Sequence, residues 1–358
     1  MKILVVAGAR PNFMKVAPIL KELEAKGIEN LLVHTGQHYD PLLSDVFFAD
    51  LGIREPDYSL DVGSGSHAHQ TARVMEAFES LVQEVSPDVV IVVGDVNSTL
   101  GCALVGAKAP CKVAHVEAGL RSRDWTMPEE VNRVAVDHVS DYLFAPSPDA
   151  VENLEKEGLG KKSYLVGNVM VDTLLSSLPL VEKSTIMEKL GIVGENYALV
   201  TLHRPSNVDD PETLQTLLEA LEKISQACKI VFPIHPRTLL KLEDTTISPN
   251  IITTEPVGYL DCIALEKHAK VVLTDSGGIQ EETTVLGTPC LTLRESTERP
   301  ITVSQGTNQV VGTDVKIIVE KSLEIIKNGY LKRSPALWDG KASERIVNIL
   351  ATNWASRY

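Results

Sequence analysis

Several polar clusters in this sequence combine acids, cations and glycine where the chain leaves an apolar run. The stretch "LTDSGGIQEE", Leu273 to Glu282, passes from apolar residues through Asp-Ser-Gly-Gly into a segment that can form a helix. Ser276, Gly277 and Gly278 can present a hydroxyl and backbone N–H groups to a phosphate there, because a helix N-terminus favours anions. A plain turn capped by Asp275 or Ser276 is the competing reading, with Glu281 and Glu282 as acids in the first helical turn that suit the dipole. Arg10 and Lys15 in "GARPNFMK" flank the first turn of a helix that Pro11 can open, where cations suit a bound phosphate better than they suit the dipole. "HRPSNVDD" puts His203, Arg204 and Asn207 in one polar turn, and "PIHPRT" repeats the pair as His235 and Arg237. Basic pairs ending neighbouring parallel strands converge on one edge, which again suits an anion.

Acids occupy a second set of positions. Asp95 follows the apolar run of "VVIVVGDVNST" and can bind a hydroxyl, act as a base or cap the next helix. Glu117 and Arg121 in "HVEAGLRS" offer either a carboxyl of raised pKa or an ion pair that holds the loop. In "MPEEVNR", Glu129 and Arg133 stand four apart on one helical face, the spacing of a solvated i,i+4 pair.

The elements that must position these residues follow a regular rhythm. "KILVVAG", "ENLLVHTG", "PDVVIVVGD", "CKVAHVEAG", "DYLFAP" and "SYLVGN" read as strands, with helical patterns between several of them. After a mixed polar stretch from about Asp172 to Asn196, the rhythm restarts at "YALVTLH", "KIVFPIHP", "NIITTEP", "AKVVLTDSGG" and "TPCLTLRE". The expected fold class is α/β, with two Rossmann-like domains facing a cleft and ligands beyond the carboxyl ends of the strands. We place the domains at 1–170 and 171–345, and leave 346–358 as a C-terminal helix that packs back on the first domain.

Length and composition agree with that layout. At 358 residues and 44% hydrophobic the chain supports two cores, and a net charge of −14 argues against general affinity for nucleic acid or anionic membranes. "MKILVVAGARP" is too short for a signal h-region and no later apolar run reaches spanning length, so a cytoplasmic protein without membrane insertion is expected. Five scattered cysteines without a CxxC pair fit reduced core thiols, and no metal site is expected. Nicotinamide, P-loop and zincin motifs are all missing from the sequence.

In order along the chain, "GARPNFMK", "VVGDVNST", "HVEAGLRS", "PEEVNR", "TLHRPSNVD", "LTDSGGIQEE" and "LRESTERP" resemble the non-hydrolysing UDP-N-acetylglucosamine 2-epimerases, which have the glycosyltransferase-B fold. The resemblance implies inversion at C2 of UDP-N-acetylglucosamine to give UDP-N-acetylmannosamine, with no cofactor and no metal. The route it implies is elimination of UDP to 2-acetamidoglucal and re-addition, supplying activated N-acetylmannosamine for surface polysaccharide. It assigns Arg10, His203, Ser276, Gly277 and Gly278 to the diphosphate, Glu282 to the ribose, Arg299 to the nucleotide site, and Val257 with Cys262 to substrate binding. Lys15, Asp95, Glu117, Glu129 and Arg133 fall at the sugar, with the three acids as the proton-transfer group and His203 beside them. "GARPNF" replaces the more usual GTRPE, and Cys262 stands where a uracil-side aromatic is common. The likeness also implies a homodimer and, through Gln37 and His38 of "TGQHYD", activation by a second UDP-sugar. Epimerases of related UDP-2-acetamido sugars, the hydrolysing epimerases and glycosyltransferase-B transferases are the alternatives.

Overall fold

The computed structural model describes residues 1–36, 52–234, 238 and 248–356, without the side chains of Arg10 and Pro11. Gln37, His38, His235 and Arg237 therefore lie outside the described residues, as does the side chain of Arg10. The described chain divides into one unit of Met1–Ser176 with Ala336–Tyr358, and a second of Ser177–Pro335. The expected second domain of 171–345 is thus too long at both ends. Its supposed polar linker is largely helical, and residues 336–345 belong with the first unit.

The first unit is built on a parallel sheet. Its strands are β1 (Lys2–Ala7), β2 (Glu29–His34), β3 (Tyr58–Ser59), β4 (Val89–Val93), β5 (Lys112–Val116), β6 (Tyr142–Ala145) and β7 (Ser163–Leu165), in the spatial order β3-β2-β1-β4-β5-β6-β7. The five residues of β4, Val-Val-Ile-Val-Val, are all buried, as expected of a central parallel strand covered on both faces. Helices α1 (Arg10–Ala25), α2 (His67–Val85), α3 (Asn97–Gly106), α4 (Pro128–Val139), α5 (Pro148–Lys156) and α6 (Val169–Val181) connect or follow these strands. Val74, Phe78 and Val82 of α2 pack with Leu4, Val6, Val90 and Val92 in one core.

The second unit repeats the plan with α7 (Ile186–Lys189), β8 (Tyr197–Thr201), α8 (Pro205–Val208), α9 (Pro211–Ile224), β9 (Lys229–Pro233), β10 (Ile251–Thr254), α10 (Tyr259–His268), β11 (Val271–Thr274), α11 (Gly277–Leu286), β12 (Cys290–Thr292), α12 (Pro300–Ser304), β13 (Asn308–Val310) and α13 (Val315–Asn328). Its parallel sheet runs β10-β9-β8-β11-β12-β13, and Leu217, Leu221, Phe232, Leu273 and Leu291 lie in its core. In both sheets the strand order reverses beside the first strand, between β1 and β4 and between β8 and β11. Ligands of open parallel sheets settle at the carboxyl side of such a reversal, because the connections on either side leave in opposite directions.

The last helix, α14 (Ala342–Ala355), belongs to the first unit and packs on α1, with Lys26 Nζ donating to Asn348 Oδ1 at 2.7 Å. Its own N-cap residue, Lys341, offers no side-chain acceptor. Asp172 of α6 supplies one instead, accepting from the N–H of Ala342 at 3.0 Å and of Ser343 at 2.7 Å. A carboxylate remote in sequence thus does the work of a capping side chain.

Candidate active site

The loop after β1 is closed by Asn12, whose Oδ1 accepts the N–H of Gly8 at 3.1 Å and of Ala9 at 2.9 Å. Its Nδ2 donates to the Val93 carbonyl at 3.3 Å, so one buried side chain ties the ends of β1 and β4 together. Gly94 follows with φ +67°, and a Cβ there would lie 3.0 Å from Lys15 Nζ and 3.4 Å from Glu117 Oε2. Glycine keeps that space open for an ion pair between Lys15 and Glu117, whose side chains are 13% and 3% exposed. Lys15 therefore meets a protein carboxylate, where the sequence suggested a bound phosphate.

Glu117 sits at the end of β5 with a left-handed backbone, φ 71°, a conformation that costs a non-glycine residue about 1 kcal/mol or more. The surroundings impose it. His115 is fully buried, with Nδ1 2.6 Å from Asp137 Oδ1 and Nε2 2.9 Å from the Gly94 carbonyl. Asp137 Oδ2 also accepts from the Gly119 N–H at 3.0 Å and from Arg121 at 2.8 Å. Burial works to raise the Asp137 pKa, but His115 and Arg121 outweigh it and hold the carboxyl below its ordinary range. Arg121 is thus spent on Asp137 and on Glu157, at 2.7 Å, and the expected pairing with Glu117 is not formed.

Arg133 does not pair with Glu129 as the helical spacing suggested. Its guanidinium reaches across to Asp95 Oδ2, with Nε at 2.9 Å and a terminal nitrogen at 2.6 Å, and to Glu130 Oε2 at 2.9 Å. Glu130 also accepts the N–H groups of Ser122 at 2.8 Å and Arg123 at 2.9 Å. Burial works to raise its pKa, and these N–H groups with Arg133 hold it low. Asp95 is not a helix cap either, since Val96 holds the N-cap position of α3. Asp95 and Glu129 instead line a cavity of about 260 Å³ together with Ser64, His67, Asn97 and Asn132.

In the second unit, Asp275 at the end of β11 organises the loop after β8. Fully buried, it accepts the backbone N–H groups of His203 and Arg204, each at 3.0 Å, and Asn207 Nδ2 at 3.2 Å. His203 Nδ1 lies 2.8 Å from Asp275 Oδ1, while the His203 side chain stays 43% exposed. Burial works to raise the Asp275 pKa, and the His203 contact with these N–H groups lowers it overall. Asp275 is therefore not the cap of α11. Ser276, at the N-cap position, makes no side-chain cap bond either, which leaves that helix end uncapped by its own side chains.

Neither Gly277 nor Gly278 has a positive φ, so backbone conformation does not demand glycine at either. A Cβ on Gly277 would lie 2.8 Å from Glu298 Oε1, whereas one on Gly278 meets nothing nearer than Ser276 Oγ at 3.9 Å. Glu298 is clamped by Arg204 at 3.3 Å and Arg294 at 2.8 Å. Burial opposes its ionisation, yet Arg299 and Arg294 bring its pKa down to about 2.

Glu281 and Glu282 are buried in the second turn of α11, beyond the dipole position expected of them. Glu281 pairs with Arg299 Nε at 2.8 Å. Burial, then the charge of Glu281, push Glu282 up to about 7. Cys262 belongs to the same neighbourhood, its thiol donating to Glu266 Oε1 at 3.4 Å, and Val257 precedes α10 in the adjoining loop. Asn12, His115, Asp137, Glu130, Glu266 and Glu298 were missed by sequence reasoning. Only the adjacency of Glu130 to Glu129, and of Glu298 to Arg299, could have flagged any of them.

Among the described residues no helix is long and apolar enough to cross a membrane, and the five cysteines are free thiols. Residues 21–351 match a family model described as UDP-N-acetylglucosamine 2-epimerase. A Methanocaldococcus jannaschii protein of that name is 42% identical over 98% of this chain and 99% of its own. A Pseudomonas aeruginosa protein, named UDP-2,3-diacetamido-2,3-dideoxy-D-glucuronate 2-epimerase, is 40% identical over 98% of this chain and 99% of its own. Among solved structures, the M. jannaschii UDP-GlcNAc 2-epimerase in complex with UDP-GlcNAc and UDP matches with a TM-score of 0.86 and 42% identity, covering 98% of this chain and 100% of that one. These likenesses agree with the glycosyltransferase-B type of α/β fold expected from the motifs.

Proposed function

Because this chain belongs to the UDP-N-acetylglucosamine 2-epimerase family, we propose that it interconverts UDP-N-acetylglucosamine and UDP-N-acetylmannosamine by inversion at C2, without hydrolysis. The C2–H of such a sugar is not acidic, so its removal is coupled to departure of UDP. A carboxylate takes the C2 proton, the C1–O bond breaks with its electron pair leaving on UDP, and 2-acetamidoglucal remains. A second acid then delivers a proton to the other face of C2 while the UDP oxygen re-forms the bond to C1. Nothing is oxidised or reduced.

The observation that carries this reading is that Asp95 and Glu129 line one cavity, since inversion needs proton-handling groups on two faces of one carbon. Glu117, paired with Lys15, is the third acid of the proposal. Arg133 fixes Asp95 in place, so its removal acts through that carboxylate. In the second unit the α11 N-terminus and His203 hold the diphosphate, with Arg10 assigned there by resemblance. Glu282 takes the ribose, and Arg299, Val257 and Cys262 fall at the nucleotide. Stabilising charge that develops on the leaving group lowers the barrier to elimination. Supply of N-acetylmannosamine for surface polysaccharide, a homodimer and a cytoplasmic setting belong to the same proposal.

The 40% identity to the P. aeruginosa enzyme supports a second reading, in which the substrate is a related UDP-2-acetamido sugar with other groups at C3 and C6. Separate incubations with UDP-N-acetylglucosamine and with UDP-2,3-diacetamido-2,3-dideoxy-D-glucuronate, each followed by NMR identification of the products, separate the possibilities. UDP-N-acetylmannosamine is the expected product. Free N-acetylmannosamine would indicate a hydrolysing enzyme, and turnover only of the diacetamido-uronate would establish the second reading.

A further inference from the structure

Asp95 and Glu117 follow two neighbouring strands, β4 and β5, and one buried pair of side chains reaches the backbone beside each of them. His115 of β5 and Asp137 of α4 are both fully buried, and neither has a part in the proton transfers proposed above. A carbonyl oxygen can only accept, so the 2.9 Å contact to Gly94 means that His115 Nε2 donates to the residue before Asp95. The Gly94 N–H donates in turn to the Val116 carbonyl at 3.1 Å, so Gly94 is held through both its backbone groups. On its other edge the His115 ring meets Asp137 Oδ1 at 2.6 Å, and Asp137 Oδ2 accepts the N–H of Gly119, two residues after Glu117, at 3.0 Å. The N–H groups of Glu117 and Ala118 both donate to the Phe144 carbonyl at 3.1 Å, which anchors the same turn to β6. Helix α4 grips the Asp95 loop as well. Four residues before Asp137, Arg133 holds the Asp95 carboxylate, and Asn132 Nδ2 donates to the Asp95 carbonyl at 2.8 Å.

We propose that His115 and Asp137 are positioning residues that fix the spacing between Asp95 and Glu117, through a bridge running from Gly94 to His115, Asp137 and Gly119. This rests on the assignment of Asp95 and Glu117 to proton transfer. A buried ionisable pair adds little stability over apolar residues of the same shape, whereas a network bonded at both ends rigidifies what it joins. Here it joins the two loops that carry the acids. The left-handed backbone of Glu117 calls for such a hold, since a strained φ of 71° persists only where its surroundings over-determine it. Two acids that act on one carbon must keep their places relative to each other, and a misplacement of about 1 Å can cost ~10²-fold in rate.

The test is kcat for UDP-N-acetylglucosamine beside calorimetric binding of UDP, in H115Q, H115N and D137N, with each His115 variant also combined with E117Q. A Gln amide can replace Nε2 toward Gly94 and an Asn amide can replace Nδ1 toward Asp137, but neither spans both. Both should lower kcat on the order of 10²-fold and leave UDP binding unchanged, because the proposed phosphate ligands of α11 and His203 lie in the second unit. In D137N the new amide can accept from Gly119 and donate to Nδ1, so the bridge and most of kcat should survive. The spacing of two acids is immaterial once one is gone, so the His115 variants should cost little further in E117Q. Additive losses in E117Q, wild-type kcat in both single His115 variants, or a D137N as impaired as they are would each overturn the inference. Should the His115 variants not fold, 15N NMR of histidine-labelled wild type decides: His115 Nε2 should carry a proton, and a bare Nε2 would overturn the bridge. If E117Q alone turns over like wild type, the catalytic assignment itself has failed, a result distinct from additive losses.

Discussion

Replacing each glycine of the Asp-Ser-Gly-Gly turn by alanine separates what the fold needs there from what a ligand needs. At Gly277 a methyl group comes within 2.8 Å of Glu298 Oε1, and Glu298 cannot yield without loosening its pairs with Arg204 and Arg294. Overpacking of this kind costs ~1–3 kcal/mol. At Gly278 the nearest atom is 3.9 Å away and the backbone is ordinary, so alanine in this helix should leave stability unchanged or raise it by up to ~1 kcal/mol. Binding should respond in the opposite sense. A diphosphate seated on the uncapped N–H groups of α11 accepts charge-assisted bonds worth ~1.5–3 kcal/mol, and the Gly278 methyl would stand in its way. That predicts ~10- to 150-fold weaker UDP binding by G278A, measured by calorimetry beside thermal unfolding of both variants. A G278A protein that binds UDP like wild type would refute the placement of the phosphates. Wild-type stability of G277A would refute the clash.

Other outcomes follow from the same geometry. D95N, E117Q and E129Q should each lower kcat by ~10²–10⁴ while still binding UDP, and wild-type rates in all three would dismiss the catalytic assignments. Glu298 has a depressed pKa, so it contributes stability above its usual 4.5 that disappears as pH falls toward about 2. E298Q should cost ~3 kcal/mol at neutral pH, with the gap to wild type closing across that acid window in denaturant titrations. G119A should destabilise by at least ~3 kcal/mol, because φ is +83° and a Cβ would lie 2.3 Å from the Ala150 carbonyl. Unfolding midpoints check that directly.

The apolar runs announced most strands because buried parallel strands have little choice of composition: "VVIVV" can hardly be anything else. Tyr58–Ser59 and Asn308–Val310 escaped notice, being two and three residues long and only partly apolar. The candidate site residues were sought at strand ends for a related reason, since ligands of such sheets lie beyond the carboxyl ends of the strands. Their partners were not. Lys15 meets Glu117 across 102 residues and Arg133 meets Asp95 across 38, while the local i,i+4 and loop pairings that spacing favoured lost to them. A buried guanidinium goes to whichever carboxylate the fold delivers in good geometry, and that is settled by the sheet order. A C-terminal helix returning to the first unit was expected, but its start at Ala342 and the cap that receives it were not, because that cap is Asp172, remote in sequence.

On the proposed route C2 inverts through loss of its proton with departure of UDP. Incubating the enzyme with UDP-N-acetylglucosamine in deuterated buffer and recording the proton spectrum of the product tests it in one step. The expected product is UDP-N-acetylmannosamine carrying deuterium at C2, placed there from the face opposite the one deprotonated. Product that retains protium at C2 would contradict it.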